Sequence, residues 1–272
     1  MGMAIFGAGS TPPPAPTGGL KLHWKLDETS GSAAGDSSGN GNGGMLSPSG
    51  PVWTSGRSGG GLDLGGNDHV TAPATASLNS LKSAMTTALW VYKRSNLPSY
   101  GGLLGRRYGP EWDDLWTLFY DNASADNYSF ILRTSQGSAW LVGPSSTGDH
   151  NSWVHVAAVY DGASMILYRN GQEVARRSHS GTIPDESSPL VVGAGDNGSL
   201  GLDEYIDGVI DDVRIYDRAL SAAEVQTLVQ AGGGAGEKSA AMSRAPQGGG
   251  SCGLTGLEAI ALLVWLRRRR RP

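Results

Sequence analysis

From Leu20 the chain alternates: Leu20, Leu22, Trp24 and Leu26 fall on one side of an extended backbone, and Lys21, His23 and Lys25 on the other. Successive strand side chains point to opposite faces, so the pattern predicts a strand with one buried face. Further short apolar runs, each bounded by turn residues, predict strands at 61–64, 69–72, 87–93, 103–107, 115–120, 128–134, 140–142, 190–193 and 209–216. Residues 153–177 read as a meander, because Asp161-Gly162 opens a turn and Asn170-Gly171 is the preferred pair for a two-residue type I′ hairpin. The Gly- and Asn-rich run 35–44 is a turn in which positive φ is cheap. Without helices between the strands a parallel sheet is excluded, and two antiparallel sheets packed face to face are the economical arrangement.

One stretch carries a strand into a helix: DGVIDDVRIYDRALSAAEVQTLVQA, residues 207–231. A period of two puts Val209, Val213 and Ile215 on the buried face and Ile210, Asp212, Arg214 and Tyr216 on the other, so Asp211 lands among the apolar side chains. A carboxylate there is costly unless a bulge turns it away or a fixed partner satisfies it. Ser221 reads as an N-cap with Glu224 closing a capping box, Leu220 as a staple onto Val225, and Gly232 as the C-terminal cap.

The run G-x-I-D-D-V-R-I-Y-D-R-A-L-S-x-x-E-V resembles the closing segment of the laminin-G-like, concanavalin A-like jelly-roll domains of bacterial surface proteins. Near the start, WKLDETSGSAAGDSSGNGN (residues 24–42) is similar to the family's opening strand and Asp-Ser-Ser-Gly-Asn turn. The resemblance covers residues 18–231 and implies an all-β, concanavalin A-like jelly-roll sandwich with one short C-terminal helix. It also implies a habit of binding glycans or extracellular proteins.

Composition agrees with a loop-rich sandwich: of 272 residues 42 are Gly and 14 Pro, and charged residues make up only 17%. The formal charge of -4 hides an asymmetry, since residues 252–272 hold five Arg and one Glu and the remaining chain therefore carries -8. Nucleic acid is disfavoured as a partner of an acidic domain, because phosphate binding needs a basic face. Cys252 is the only cysteine, so neither a disulfide framework nor a Cys-based metal site exists.

Catalysis has little to stand on. The concanavalin-like glucanases set carboxylates on one strand in an E-x-D-x-x-E pattern that is absent here: Glu111 and Asp113 lack the third acid, and Asp203, Tyr205 and Asp207 give only D-x-Y-x-D. Calcium takes six to eight oxygens from acidic and amide-rich loops. One such set, Asp113 and Asp114 with Asp196, Asn197 and Glu204, resembles the loop positions where pentraxin and laminin-G relatives hold calcium. A second, Asp36, Ser38, Asn40 and Asn42, spaces its oxygens like a short calcium loop but reads equally as a self-bonded Asx turn. Among the aromatic residues Trp112 and Tyr108 sit where a ligand platform is expected, whereas Trp24, Trp90, Trp116 and Trp153 lie within apolar alternation and are expected in the core.

Outside the domain, residues 1–17 are Pro-rich and read as a linker, and no charged n-region and apolar h-region of a secretory signal is visible there. Residues 232–251 read as a Gly-rich flexible spacer. The tail 252–272 joins Cys252 to a fourteen-residue apolar stretch and five arginines. As a helix that stretch spans about 21 Å, short of a bilayer's roughly 30 Å core. The combination resembles C-terminal sorting signals of the PEP and myxobacterial type. That implies a tail held only transiently in the membrane and processing at Cys252, which would leave the domain on the cell surface. The reading at this stage is a non-catalytic, calcium-assisted binding or adhesion module; a structural surface domain without a small ligand and a glycosidase stand beside it.

Overall fold

The structure, a computed structural model, describes residues 13–94, 100–107, 114–121, 126–185, 187–196 and 201–232. In chain order the strands are β1 (Leu20–Trp24), β2 (Ala33–Ala34), β3 (Gly44–Leu46), β4 (Val52–Ser55), β5 (Gly60–Gly65), β6 (Val70–Ala72), β7 (Met85–Lys93), β8 (Tyr100–Arg107) and β9 (Asp114–Asp121). They continue with β10 (Asn127–Thr134), β11 (Gly137–Ser145), β12 (Trp153–Tyr160), β13 (Ser164–Arg169), β14 (Gln172–Ser178), β15 (Leu190–Val192), β16 (Gly195–Asp196), β17 (Leu202–Asp203) and β18 (Asp207–Tyr216), before the helix α1 (Ala222–Ala231). Two antiparallel sheets of eight strands face each other. The first runs β14-β13-β12-β7-β18-β5-β4 with β1 also on β18; the second runs β11-β10-β9-β8-β15-β6-β3-β2.

The core between the sheets is built from the alternating positions the sequence marks, among them Leu22, Trp24, Leu62, Leu89, Leu118 and Val156, all fully buried. The Asn170-Gly171 hairpin has φ of 49° and 79° at its two turn residues, as a type I′ turn requires. Strands β2, β3 and β4 were not legible from periodicity. Val52–Ser55, for example, is half-exposed throughout and shows no alternation. Ser221 caps α1 in a complete capping box with Glu224. The helix packs Val225 and Leu228 with Leu220 against Ala88, Ala157 and Tyr216 on the outer face of the first sheet.

The Asp36 turn is a structural staple. Its carboxylate accepts from the backbone N–H groups of His23, Ser38 and Asn42 and from the Ser38 hydroxyl, so its oxygens are engaged by the protein itself. Asn42 is fully buried, and its carbonyl receives the Trp24 indole N–H at 2.8 Å. Of the tryptophans expected inside, Trp24 and Trp116 are in the core. Trp90 and Trp153 instead lie on the outer face of the first sheet, where Trp90 packs edge-on to His155 at 5.3 Å and Trp153 meets Tyr92 at 5.7 Å. The expectation fails because β7 and β12 are central strands whose outward residues are apolar too.

Candidate functional site

Of the expected calcium set, the described residues include the backbones of Asp114 and Asp196 and the whole of Glu204. Asp114 opens β9 opposite Arg107, at the far end of β8. Glu204 lies at the near end, where its carbonyl accepts the Gly102 N–H at 2.9 Å. Five residues of strand separate the two places, about 16 Å at 3.3 Å per residue. Asp196, paired with Leu202 in the β16–β17 ribbon, belongs to the Glu204 side. The sequence could not show that the β8–β9 turn and the 193–206 segment enter opposite ends of one strand. Tyr108, Trp112, Asp113, Asn197 and Cys252 lie outside the described residues. Among the described residues no group of three or more His, Cys, Asp or Glu is arranged to hold a metal ion.

Asp211 is buried, 1% exposed, but not on the core face. A bulge between Asp211 and Arg214, with Asp212 at φ 51°, shifts the phase of β18. Ile210, Val213 and Ile215 therefore enter the core together, and the expected grouping of Asp211 with Val213 and Ile215 is corrected. Asp211 faces outward beside Trp90, under the β4–β5 turn, and accepts the Ser58 N–H at 2.9 Å. Burial pushes its carboxyl up to about 7, against the pull of the backbone N–H groups. Asp212 is held the other way. Burial opposes its charge, yet His23 Nε2 at 2.7 Å and the Arg214 guanidinium at 2.9 Å keep its carboxyl below the usual value.

A second polar cluster closes one end of the sandwich. Lys93, 1% exposed, extends its ammonium between the rings of Tyr120 and Tyr128, 3.6 and 4.6 Å from their centroids. It donates to Asp126 and to the Ser146 hydroxyl, while Tyr120, Ser146 and His150 also bond to the Asp126 carboxylate. Burial lowers Lys93 to about 8 although Asp126 opposes the shift. The same contacts hold Asp126 below its usual range in spite of burial and fix it at φ 48°, one residue before β10. This cluster is too enclosed to meet a ligand directly. It ties the loop ahead of β10 to the loop ahead of β12.

The outward face of the second sheet is different in kind. Pairing of β8, β9, β10 and β11 sets its residues in cross-strand rows. One row is Tyr100, Asp121, Asn127 and Ser145; the next is Gly102, Phe119, Ser129 and Val142; the third is Gly105, Thr117, Ile131 and Trp140. Four strands and three rows cover about 14 by 14 Å. Phe119 sits 6.5 Å from Tyr100 and 5.4 Å from Trp140, a continuous run of rings across three strands. Val142 is 53% exposed at its edge. On the polar row the Ser129 hydroxyl donates to Asn127 Oδ1 at 2.7 Å, and the buried Asn127 Nδ2 has no hydrogen-bond partner. Gly102 lacks a side chain because the Ala194–Gly195 backbone passes over it, where a Cβ would meet the Ala194 carbonyl at 2.1 Å, so the β8 side of the face is covered at that point. None of the twelve residues is basic. Phe119, Asp121, Asn127 and Ser129 are buried, so a ligand would meet Tyr100, Thr117, Ile131, Trp140, Val142 and Ser145; flat rings and apolar side chains beside hydroxyls suit a ligand with one apolar face and hydroxyl edges, which is the chemistry of a sugar ring. These residues were missed in the sequence because Phe119, Asn127 and Trp140 are far apart along it, and only strand register makes them neighbours.

Residues 64–226 match the model of the concanavalin A-like lectin/glucanases superfamily, in its laminin-G form, and the chain belongs to that superfamily. No curated protein matches the sequence. Among solved structures, the binding domain of Paraclostridial Mosquitocidal Protein 1 is similar with a TM-score of 0.62 and 19% identity, over 78% of this chain and 52% of that one. The binding domain of Botulinum Neurotoxin DC in complex with SialylT follows at 0.61 and 13%, over 79% and 52%. Domain 4 of AbnA, a GH43 extracellular arabinanase from Geobacillus stearothermophilus, in complex with arabinotriose, gives 0.54 and 18%, over 77% and 98%. The chain thus spans about half the length of the toxin binding domains and nearly all of the arabinanase domain. At these identities the likeness is one of fold.

Proposed function

We propose that the jelly-roll domain is a non-catalytic binding module displayed outside the cell, which takes a neutral glycan on the outward face of its second sheet. The observation that carries this reading is the three-row face, with the Tyr100, Phe119 and Trp140 rings in a line and Asp121 and Asn127 beside them; among the described residues the cations that adjoin it, Arg133 and Arg177, lie at its Trp140 edge. Trp140 and Tyr100 are the stacking platforms; Thr117 and Ser145 offer hydroxyls at the surface, and Asp121 and Asn127 lie at the floor. The likeness in fold to an arabinanase domain in complex with arabinotriose and to a toxin binding domain in complex with SialylT supports a binding role. Asp121 is the only carboxylate in the three rows, whereas glycoside cleavage requires two flanking the bond. Calcium has no step in this reading. Display at the surface rests on the tail ending in Arg267–Arg271 and Cys252, which lie outside the described residues. Among the described residues no helix is long and apolar enough to cross a membrane.

A glycan array run with the protein and with Trp140→Ala tests the proposal. Neutral oligosaccharides should be retained by the parent chain and lost by the variant. Retention of none, or retention unaffected by Trp140→Ala, would refute it.

A further inference from the structure

Of the three outward rows, the third runs on past β8. The first two stop there, because β15 pairs along β8 only as far as Val192 on Leu104, and the Ala194–Gly195 backbone passes over Gly102. The third continues through Val191, which pairs with Gly105, and then through Thr71 on β6, Met45 on β3 and Ala33 on β2. One register line therefore crosses all eight strands of the second sheet, from Trp140 on β11 to Ala33 on β2, and these are its two edge strands. Seven strand spacings of about 4.8 Å make the line about 33 Å long, several times the width of a sugar ring. Paired residues stand on one face of a sheet, and here all but the glycine reach solvent. Met45 is 62% exposed, Ala33 is exposed, and Thr71, Val191, Thr117, Ile131 and Trp140 are partly so. At Gly105 the Thr117 side chain leans over from β9, where a Cβ would meet its Oγ1 at 2.6 Å, so the line has no gap at β8. It holds no charged residue, and Arg133 and Arg177 adjoin it at the Trp140 end. A protein interface gathers its anchors into a central cluster. These side chains instead follow one another at single strand spacings, with the hydroxyls of Thr71 and Thr117 set among apolar groups.

We infer that the ligand is an internal stretch of a linear neutral polysaccharide, lying across the strands along this line, with Trp140 under one sugar and Val191 and Met45 under sugars further on. This rests on the glycan reading proposed above and adds to it the length and direction of the ligand. Because the line meets a sheet edge on either side, the polysaccharide can continue past the domain in both directions, and no terminal sugar has to be recognised. Met45 suits such a place, since an unbranched thioether adapts to an irregular apolar surface.

Calorimetric titration of the full-length chain with arabino-, xylo- and cello-oligosaccharides, each from the disaccharide to the octasaccharide, tests this. In a ladder that binds, affinity should rise about tenfold from the disaccharide to the hexasaccharide. Trp140→Ala should weaken every length. Met45→Ser should weaken the octasaccharide about fivefold and leave the disaccharide unchanged, which also shows that the variant is folded. An affinity that is independent of length and lost in Trp140→Ala overturns the extended line while the glycan reading stands. Length dependence that Met45→Ser does not alter puts the further sugars elsewhere and overturns it too. If no ladder binds at any length, the glycan reading itself fails and this inference with it.

Discussion

Replacing Asp211 with Asn should stabilise the protein at pH 8 and destabilise it at pH 4. The Asp211 carboxyl, ordinarily near 3.8, is raised to about 7 in the fold because burial disfavours its charge. A group whose pKa rises on folding contributes its full stability below the unfolded value and loses it as pH climbs through the folded value. The relevant window is therefore 3.8 to about 7. A rise of about 3 units corresponds to roughly 4 kcal/mol of stability lost across it, at 1.36 kcal/mol per unit. Asn at this position keeps an oxygen to accept the Ser58 N–H, which Asp211 holds at 2.9 Å. Its amide hydrogens need partners of their own, a cost of about 1–3 kcal/mol. The expected net gain is about 2 kcal/mol at pH 8, turning into a loss toward pH 4. Urea unfolding midpoints of parent and variant across that range give the difference directly, since titrations common to both cancel. A difference that does not change with pH, or a variant less stable at pH 8 than at pH 4 relative to the parent, would refute the burial of an uncompensated carboxyl.

Asp212→Ala should destabilise by about 3–5 kcal/mol, because it strands a buried Arg214 and removes the His23 contact; a loss below 1 kcal/mol in urea melts would show that the ion pair is ornamental. Lys93→Met should lose the ties to Asp126 and Ser146, and hydrogen exchange should then rise in the segments before β10 and β12 ahead of the rest; uniform exchange would contradict a local clamp. Trp140→Ala should weaken glycan binding about 30-fold, a loss of roughly 2 kcal/mol for a stacking anchor, with a melting temperature close to the parent's. In a calcium titration followed by melting temperature, Asp114→Asn and Glu204→Gln should not both abolish a response, because their backbones sit at opposite ends of β8; loss of the response in both variants would restore a joint site.

The sandwich was legible because its strands are short, alternating and separated by Gly, Asn and Asp turns, and because residues 207–231 carry a strand, a cap and a helix in a recognisable order. Where alternation failed, the cause is local. The bulge at Asp211 and Asp212 inserts a residue, and every assignment made by counting in twos across it changes face. Short edge strands such as Ala33–Ala34 and Val52–Ser55 bury little and leave no apolar pattern to read. The candidate site was illegible for a different reason. Sequence favours loop aromatics such as Tyr108 and Trp112, while the row of Tyr100, Phe119 and Trp140 is made by the pairing of four strands and has no counterpart in local spacing. The Lys93–Asp126 clamp likewise joins residues 33 apart, and nothing near either one announces the other.

The central claim is that ligand sits on the outward face of the second sheet, and mapping by two-dimensional NMR tests it most directly. A neutral oligosaccharide retained on the array, titrated into isotopically labelled protein, should shift the backbone signals of Thr117, Ile131 and Val142 and the indole signal of Trp140, and leave those of α1 and of the Arg94–Asp207 pair in place. Shifts concentrated at α1 or around Arg94, with the Trp140 indole unmoved, would contradict it.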